Sequence, residues 1–163
     1  MAALHLIDIE ASSLSDRSYP IEVGYQIDGE APVACLVNPE LCEDWDDWDA
    51  QSEQIHGIPR ERLAREGRDP LLVARALNRA LSGLTVYSDA RDYDHFWLER
   101  LFEQTPYTMD FEVGCLRQYI KRAGGAQALA LFEAMEAGDD RRHRAAEDVI
   151  DIRALTRAVL AGE

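Results

Sequence analysis

Only one lysine, Lys121, occurs among 163 residues, and Lys and Arg together number 17 against 31 Asp and Glu. The resulting formal charge of −14 carries no basic footprint, which argues against a long, sequence-independent grip on a nucleic-acid backbone. The 16 arginines are spread along the chain, so their excess over lysine reads as composition bias. Much of an acidic balance is ordinary solvation. It acquires another meaning if several carboxylates converge on divalent cations, because the metals reverse the local sign and let the site accept a phosphate. Cysteine is scarce as well. Cys35, Cys42 and Cys115 are odd in number and form no CxxC pair, which disfavours a disulfide framework and a thiolate zinc site. No stretch approaches the roughly 20 apolar residues needed to span a bilayer. Met1 to Glu10 also lacks a basic segment ahead of a long apolar run, so a soluble cytoplasmic protein without membrane contact is expected.

What remains, 47% apolar and 29% charged residues, suits a single globular domain over residues 1–163. Leu4 to Ile9 reads as a short apolar strand, and Ile21 to Ile27 and Pro32 to Val37 as a hairpin around the turn Asp28-Gly29-Glu30. Helical spacing begins after Asp49. Pro59 and Pro70 suit helix starts, and Leu71, Leu72, Ala76, Leu77 and Leu81 mark an amphipathic helix ended by Gly83. Leu84 to Tyr87 is another short apolar run, followed by a helix through Asp94 to Phe102 and a strand around Tyr107 to Phe111. The remainder is helical, interrupted at Gly124-Gly125 and at Gly138 to Arg142. The last helix is predicted from near His143 to about Leu160. Strands first, then alternation with helices, predicts a mixed α/β layer fold.

With 16 Asp and 15 Glu, chance placement yields roughly one or two Asp-x-Glu triplets, so such a triplet alone signals little. Three occur. Asp28-Gly29-Glu30 sits in a turn and Asp110-Phe111-Glu112 at a strand end, where solvated acids cost nothing. Asp8 and Glu10 differ, because period-two alternation puts them in one row with Leu4 and Leu6. Buried charge is costly without a compensating cation or hydrogen bond, so this row suggests a cleft at the strand's carboxyl end; a solvated strand end is the plainer reading.

Helix geometry sorts the acids between Asp89 and Asp94. At about 100° per residue, Asp94 shares a face with Leu98 and Leu101. Asp92 points away, and Asp89 lies before the helix. The same test puts Asp148 in line with Ala145, Ile152, Leu155 and Val159, leaving Glu147 outside that stripe and Asp151 on its flank. A buried Asp bonded to backbone is the plainer reading of Asp148. His143, five residues earlier, reads alone as an exposed residue near a helix start. Beside the acids it gains value, since imidazole can take a proton from water near neutral pH, whereas carboxylates committed to metal do so poorly.

Taken in order, Asp8-Ile9-Glu10, then Asp94 followed by Trp97-Leu98, then His143 with Asp148, resemble the three motifs of the DEDDh family of 3′-5′ exonucleases. Ile55-His56-Gly57-Ile58 also resembles that family's His-Gly-Ile segment, and the likeness covers nearly the whole chain. It implies an RNase H-like fold, a mixed central sheet flanked by helices. It further implies that Asp8, Glu10, Asp94 and Asp148 hold two divalent cations, Mg2+ or Mn2+, while His143 activates water. Hard oxygen-ligated ions and a two-metal phosphodiester displacement agree with four carboxylates. By the same resemblance, the backbone around Ala11 and Ser12 lies by the terminal nucleotide and His56 lines the cleft. Ala11 stands where many members carry threonine, and Ser88-Asp89 where many carry His-Asn.

The implied substrate is the 3′ end of single-stranded RNA or DNA, with the acidic balance favouring short oligonucleotides; analogy with small members admits a homodimer. Two alternatives stand beside this. One is a weakly active or inactive RNase H-like interaction protein, and the other a polymerase proofreading subunit. Trp45 and Trp48 could stack on bases, with core packing the stronger reading. Arg141 and Arg142 suit phosphate clamping or a solvated loop equally.

Overall fold

The computed structural model describes residues 3–138 and 143–162, so Arg141 and Arg142 lie outside the described residues. Its strands are β1 (His5–Ala11), β2 (Pro20–Gln26), β3 (Val33–Leu36), β4 (Thr85–Ser88) and β5 (Glu112–Cys115). They form one mixed sheet in the order β3-β2-β1-β4-β5. The β1-β2 and β2-β3 pairs are antiparallel, and the β1-β4 and β4-β5 pairs parallel. The helices are α1 (Ala50–His56), α2 (Arg60–Glu66), α3 (Pro70–Leu81), α4 (Arg91–Glu103), α5 (Leu116–Glu136) and α6 (Ala145–Ala161). None of them is long and apolar enough to cross a membrane. This is the expected mixed α/β arrangement of a sheet flanked by helices.

Alternation along β1 divides the interior in two. Ile7, Ile9 and Ala11 pack with Leu77, Leu98 and Leu101 from α3 and α4. Leu4 and Leu6 pack instead with Leu116, Ile120 and Phe132 of α5 and with Val149 and Ile152 of α6. Each face of the strand thus feeds a separate core, which fixes its register because a one-residue slip would exchange the two sets. Asp8 and Glu10 continue the row of Leu4 and Leu6, on the α5-α6 side.

One expectation is corrected. Tyr107 to Phe111 is not a strand, because its backbone is bonded elsewhere. Asn78 donates to Thr108 O (2.7 Å) and accepts from Asp110 N (2.9 Å), and Gly83 N donates to Asp110 O (2.8 Å). The strand begins one residue later, at Glu112. The expected interruption at Gly124-Gly125 is present as a kink: Gly125 takes φ 79° and ψ −172° inside α5. Gly124 leaves the room that Leu160 of α6 fills, since a Cβ there would sit 2.8 Å from Leu160 Cδ2.

One buried guanidinium ties the middle of the last helix to the sheet. Arg153 Nη2 donates to Leu4 O (2.7 Å) and Gln26 O (3.1 Å), while Nε and Nη1 reach Gln26 Oε1 (2.6 Å) and Asp28 Oδ1 (2.7 Å). Arginine's rigid fork suits several acceptors at once. Arg153→Leu is expected to destabilise the protein by about 2–4 kcal/mol, because buried acceptors left without a donor cost roughly 1–3 kcal/mol each. Urea unfolding of the two proteins measures this, and an unchanged midpoint would remove Arg153 from the account.

Candidate metal centre

β1 and β4 run parallel, and their carboxyl ends open at the point where the order of the sheet reverses, a common location for ligand sites in open α/β sheets. β1 brings Asp8 and Glu10 there. The turn after β4 adds Asp89, and the first turn of α4 adds Asp94. From the other side of the sheet, α6 presents Asp148 in its first turn, preceded by His143. Asp94 is 1% exposed and Asp148 2%, whereas the Asp92 side chain is 91% exposed. The helical periodicity therefore selects the inward acids correctly.

The oxygens and nitrogens fall into two groups. One ligand atom each from Glu10, His143 and Asp148 lie within 4.8 Å of one another, and so do those of Asp8, Asp89 and Asp94. Ser88 Oγ donates to Asp94 Oδ2 at 2.6 Å, orienting that carboxylate. Asp8 Oδ2 is buried and has no hydrogen-bond partner among the described residues. Burial pushes the Asp8 carboxyl well above the usual carboxylate range, and Asp94, Glu10, Asp89 and Asp148 add to it. Glu10 is pushed up to about 8, first by burial and then by Asp148, Glu22 and Asp94, against a smaller opposing effect of Arg144. An orphaned buried oxygen amid like charges, all hard donors at ligating separations, fits a divalent cation such as magnesium or manganese.

A further acid, invisible in the sequence, sets the geometry of α6. Glu22 lies opposite Glu10 in the β1-β2 register and is 3% exposed. It accepts from Arg144 Nε (3.1 Å) and Nη2 (2.7 Å) and from Ala145 N (3.0 Å), tying the start of the helix to the sheet. Next to it, Gly24 faces Asp8 in register, and any Cβ at that position would overlap the Ala145 carbonyl.

Glu10 and His143 border a cavity of about 220 Å3 that Ala11, Ser13, His56 and Trp97 also line. Ser12 stands behind this cavity, not in it. It is fully buried, its N–H donates to Tyr19 O (3.0 Å), and its own carbonyl accepts from Asp49 N (3.1 Å). Both backbone polar groups of Ser12 are thus engaged within the fold. His56 closes α1, where Gly57 turns into the left-handed region at φ 65°. Its Nδ1 accepts from Ile58 N (3.1 Å), so the neutral ring carries its proton on Nε2, and burial keeps its pKa below the usual value. Trp45 is core, stacked on Tyr19 with ring centroids 4.9 Å apart, which removes it as a base-stacking surface. Trp48 is half-buried, with its indole N–H on Glu53 (2.7 Å). His143 is exposed and adopts φ 48°.

Raised carboxyl pKa values link this site to stability. Between roughly pH 4.5 and 8 the folded, metal-free protein retains protons at Glu10 that the unfolded chain has released, so stability falls as pH rises through that window. Thermal unfolding in a chelating buffer is expected to show a lower Tm at pH 8 than at pH 5, with a shallower slope for Glu10→Gln. A Tm that rises steadily over that range in both proteins would contradict it.

No family model matches the sequence, and no curated protein matches it. Solved structures do resemble the fold. E. coli exonuclease I, in its zinc-bound form with single-stranded DNA, superposes with a TM-score of 0.69 at 16% identity over 100% of this chain and 41% of its own. A complex of the same enzyme with a dA13 oligonucleotide gives 0.67 at 13% identity over 99% and 40%. The chain thus spans about two fifths of the length of these structures. At such identities the likeness shows the fold, an exonuclease I-like, RNase H-type α/β sheet.

Proposed function

We propose that the chain is a metal-dependent 3′-5′ exonuclease acting on single-stranded nucleic acid ends. The observation that carries this reading is that Asp8, Glu10, Asp94 and Asp148, from three elements, fall into two carboxylate groups with ligating atoms within 4.8 Å, one of which holds Asp8, whose buried Oδ2 has no hydrogen-bond partner among the described residues. The likeness to exonuclease I, crystallised with single-stranded oligonucleotides, supports it at the level of the fold. In this reading the four carboxylates hold two divalent cations, Mg2+ or Mn2+. Such a pair, when bound, supplies positive charge for the attacking and leaving oxygens of a phosphodiester displacement.

The chain's own residues account for the remaining requirements. The cavity beside Glu10, with Ala11 and His56 in its wall, receives the terminal nucleotide, and Ser12 supports that wall from beneath. His56 offers a fixed N–H donor. Exposed His143, at the cavity's edge, takes the proton of the attacking water as the bond from phosphorus to the 3′-oxygen of the preceding nucleotide breaks. A net charge of −14 favours a grip confined to the end of a short strand over one along a long backbone.

End-labelled RNA and DNA oligonucleotides incubated with the pure protein and manganese or magnesium are expected to shorten stepwise from the 3′ end. Asp8→Ala and Asp148→Ala are expected to abolish shortening while the protein remains folded. Absence of metal-dependent shortening across both substrates would overturn the proposal, and nucleotide binding without shortening would favour a non-catalytic binding protein. For His143, asparagine is the informative replacement because it tolerates the left-handed backbone. His143→Asn is expected to lower kcat about 10²- to 10⁴-fold with manganese affinity nearly unchanged. A parallel loss of manganese would make the histidine a ligand, as its closeness to Glu10 and Asp148 also allows.

A further inference from the structure

Asp89 belongs to none of the motifs that suggested a nuclease. It stands at the turn from β4 into α4, beside Ser88, and is half-buried. Its main-chain position is fixed from α5, where the Arg117 guanidinium donates to the Asp89 carbonyl and to Glu136. Its carboxylate lies with those of Asp8 and Asp94, one oxygen from each within 4.8 Å of the others. Three acids brought this close repel one another. The independent sign of a ligand is Asp8 Oδ2, on a side chain 8% exposed, buried and without a hydrogen-bond partner among the described residues. Asp89 also lines a cavity of about 670 Å3 between the start of α4 and β5, so this acid of the three meets open space on that side.

We propose that Asp89 is a metal ligand, completing with Asp8 and Asp94 an all-carboxylate site for one hard divalent cation, distinct in its donors from the Glu10, His143 and Asp148 group. The inference rests on the reading that these acids face metal, and it extends that reading to a residue the motifs leave out. The two groups differ in chemistry. The first offers three carboxylates, whereas the second offers two with the proton-accepting His143 beside them, and magnesium, which gives up water reluctantly, competes best where anionic oxygen donors are most numerous. Magnesium is thus expected to displace manganese from the Asp89 site more readily than from the other.

The test is a manganese titration of the whole protein followed by the EPR signal of free Mn2+, repeated with magnesium as competitor. Wild type is expected to take up two ions. Asp89→Asn is expected to keep one site unchanged and to weaken the magnesium-displaceable site at least tenfold, since loss of a residue that merely orients a ligand already costs about 10- to 100-fold. Asp148→Asn is expected to weaken the other site. Thermal unfolding guards against a purely structural effect. Removing one like charge from the cluster should leave the metal-free Tm of Asp89→Asn at or above that of wild type, while manganese raises it less. An Asp89→Asn isotherm that superposes on the wild-type curve, a lowered metal-free Tm with normal uptake, or a wild type that binds no manganese would each overturn the assignment. Oligonucleotide shortening decides the nuclease reading separately. Shortening with an unchanged Asp89→Asn isotherm defeats only the inference, and the expected isotherms without shortening defeat only the nuclease.

Discussion

Across 122 residues of sequence, the Glu22 carboxylate receives two donors from Arg144 and one from Ala145 N, and this clamp determines where α6 begins. Arg144 and Ala145 lie between His143 and Asp148, so the clamp brings both beside β1. A helix that started half a turn later or tilted away would keep its apolar stripe on Leu4 and Leu6, yet its first-turn acid would miss Glu10. The clamp is charge-assisted and buried on the glutamate side, where such bonds are strongest and their loss most costly. Arg153, two turns along, pins the same helix through the main-chain oxygens of Leu4, just ahead of β1, and of Gln26 in β2. Between them the helix is held near both the start and the middle, so its first turn is rigid where rigidity serves the site.

That rigidity works against electrostatics. Asp8, Glu10, Asp89, Asp94 and Asp148 are drawn together by folding although their charges oppose it, and burial adds to the opposition. The cores on the two faces of β1 supply the cohesion, since apolar burial is insensitive to the charge state of the strand's far end. Conflict between local electrostatics and global packing is expected where function resides. If the proposed function holds, it also explains how a strongly acidic chain takes an anionic substrate: the charges that matter are those a cation would cover.

Much of this was legible from the sequence where a periodicity applied. Alternation placed Asp8 and Glu10 in the row of Leu4 and Leu6, and helical spacing separated Asp94 from Asp92 and Asp148 from Glu147. What the sequence did not reveal lay where no periodicity operates. Asp89 occupies a turn, and a turn aims its side chains by backbone torsion. Glu22 reads as an acid in an ordinary half-polar strand, because its partners are 122 and 123 residues away. β5 was placed too early for a third reason. It is four residues long and includes Gly114, whose missing side chain admits the ring of Tyr87, so its apolar signal is weaker than that of the loop before it. Ser12 is placed beside the cavity by its neighbours in the motif, and its bonds to Tyr19 and Asp49 follow from the tertiary fold alone.

Gly24 gives the site its ruler. Opposite Asp8 on the neighbouring strand, it lets the main chain of α6 rest directly on the main chain of β2. Side chains that separate two elements can change rotamer and let the gap breathe; two peptide planes in contact cannot. The span between the carboxylates of the sheet and those of the helix is therefore set by backbone thickness, a quantity that barely varies with temperature, solvent or neighbouring sequence. A pair of bound ions whose spacing must hold to a fraction of an ångström could be gauged by few more constant lengths.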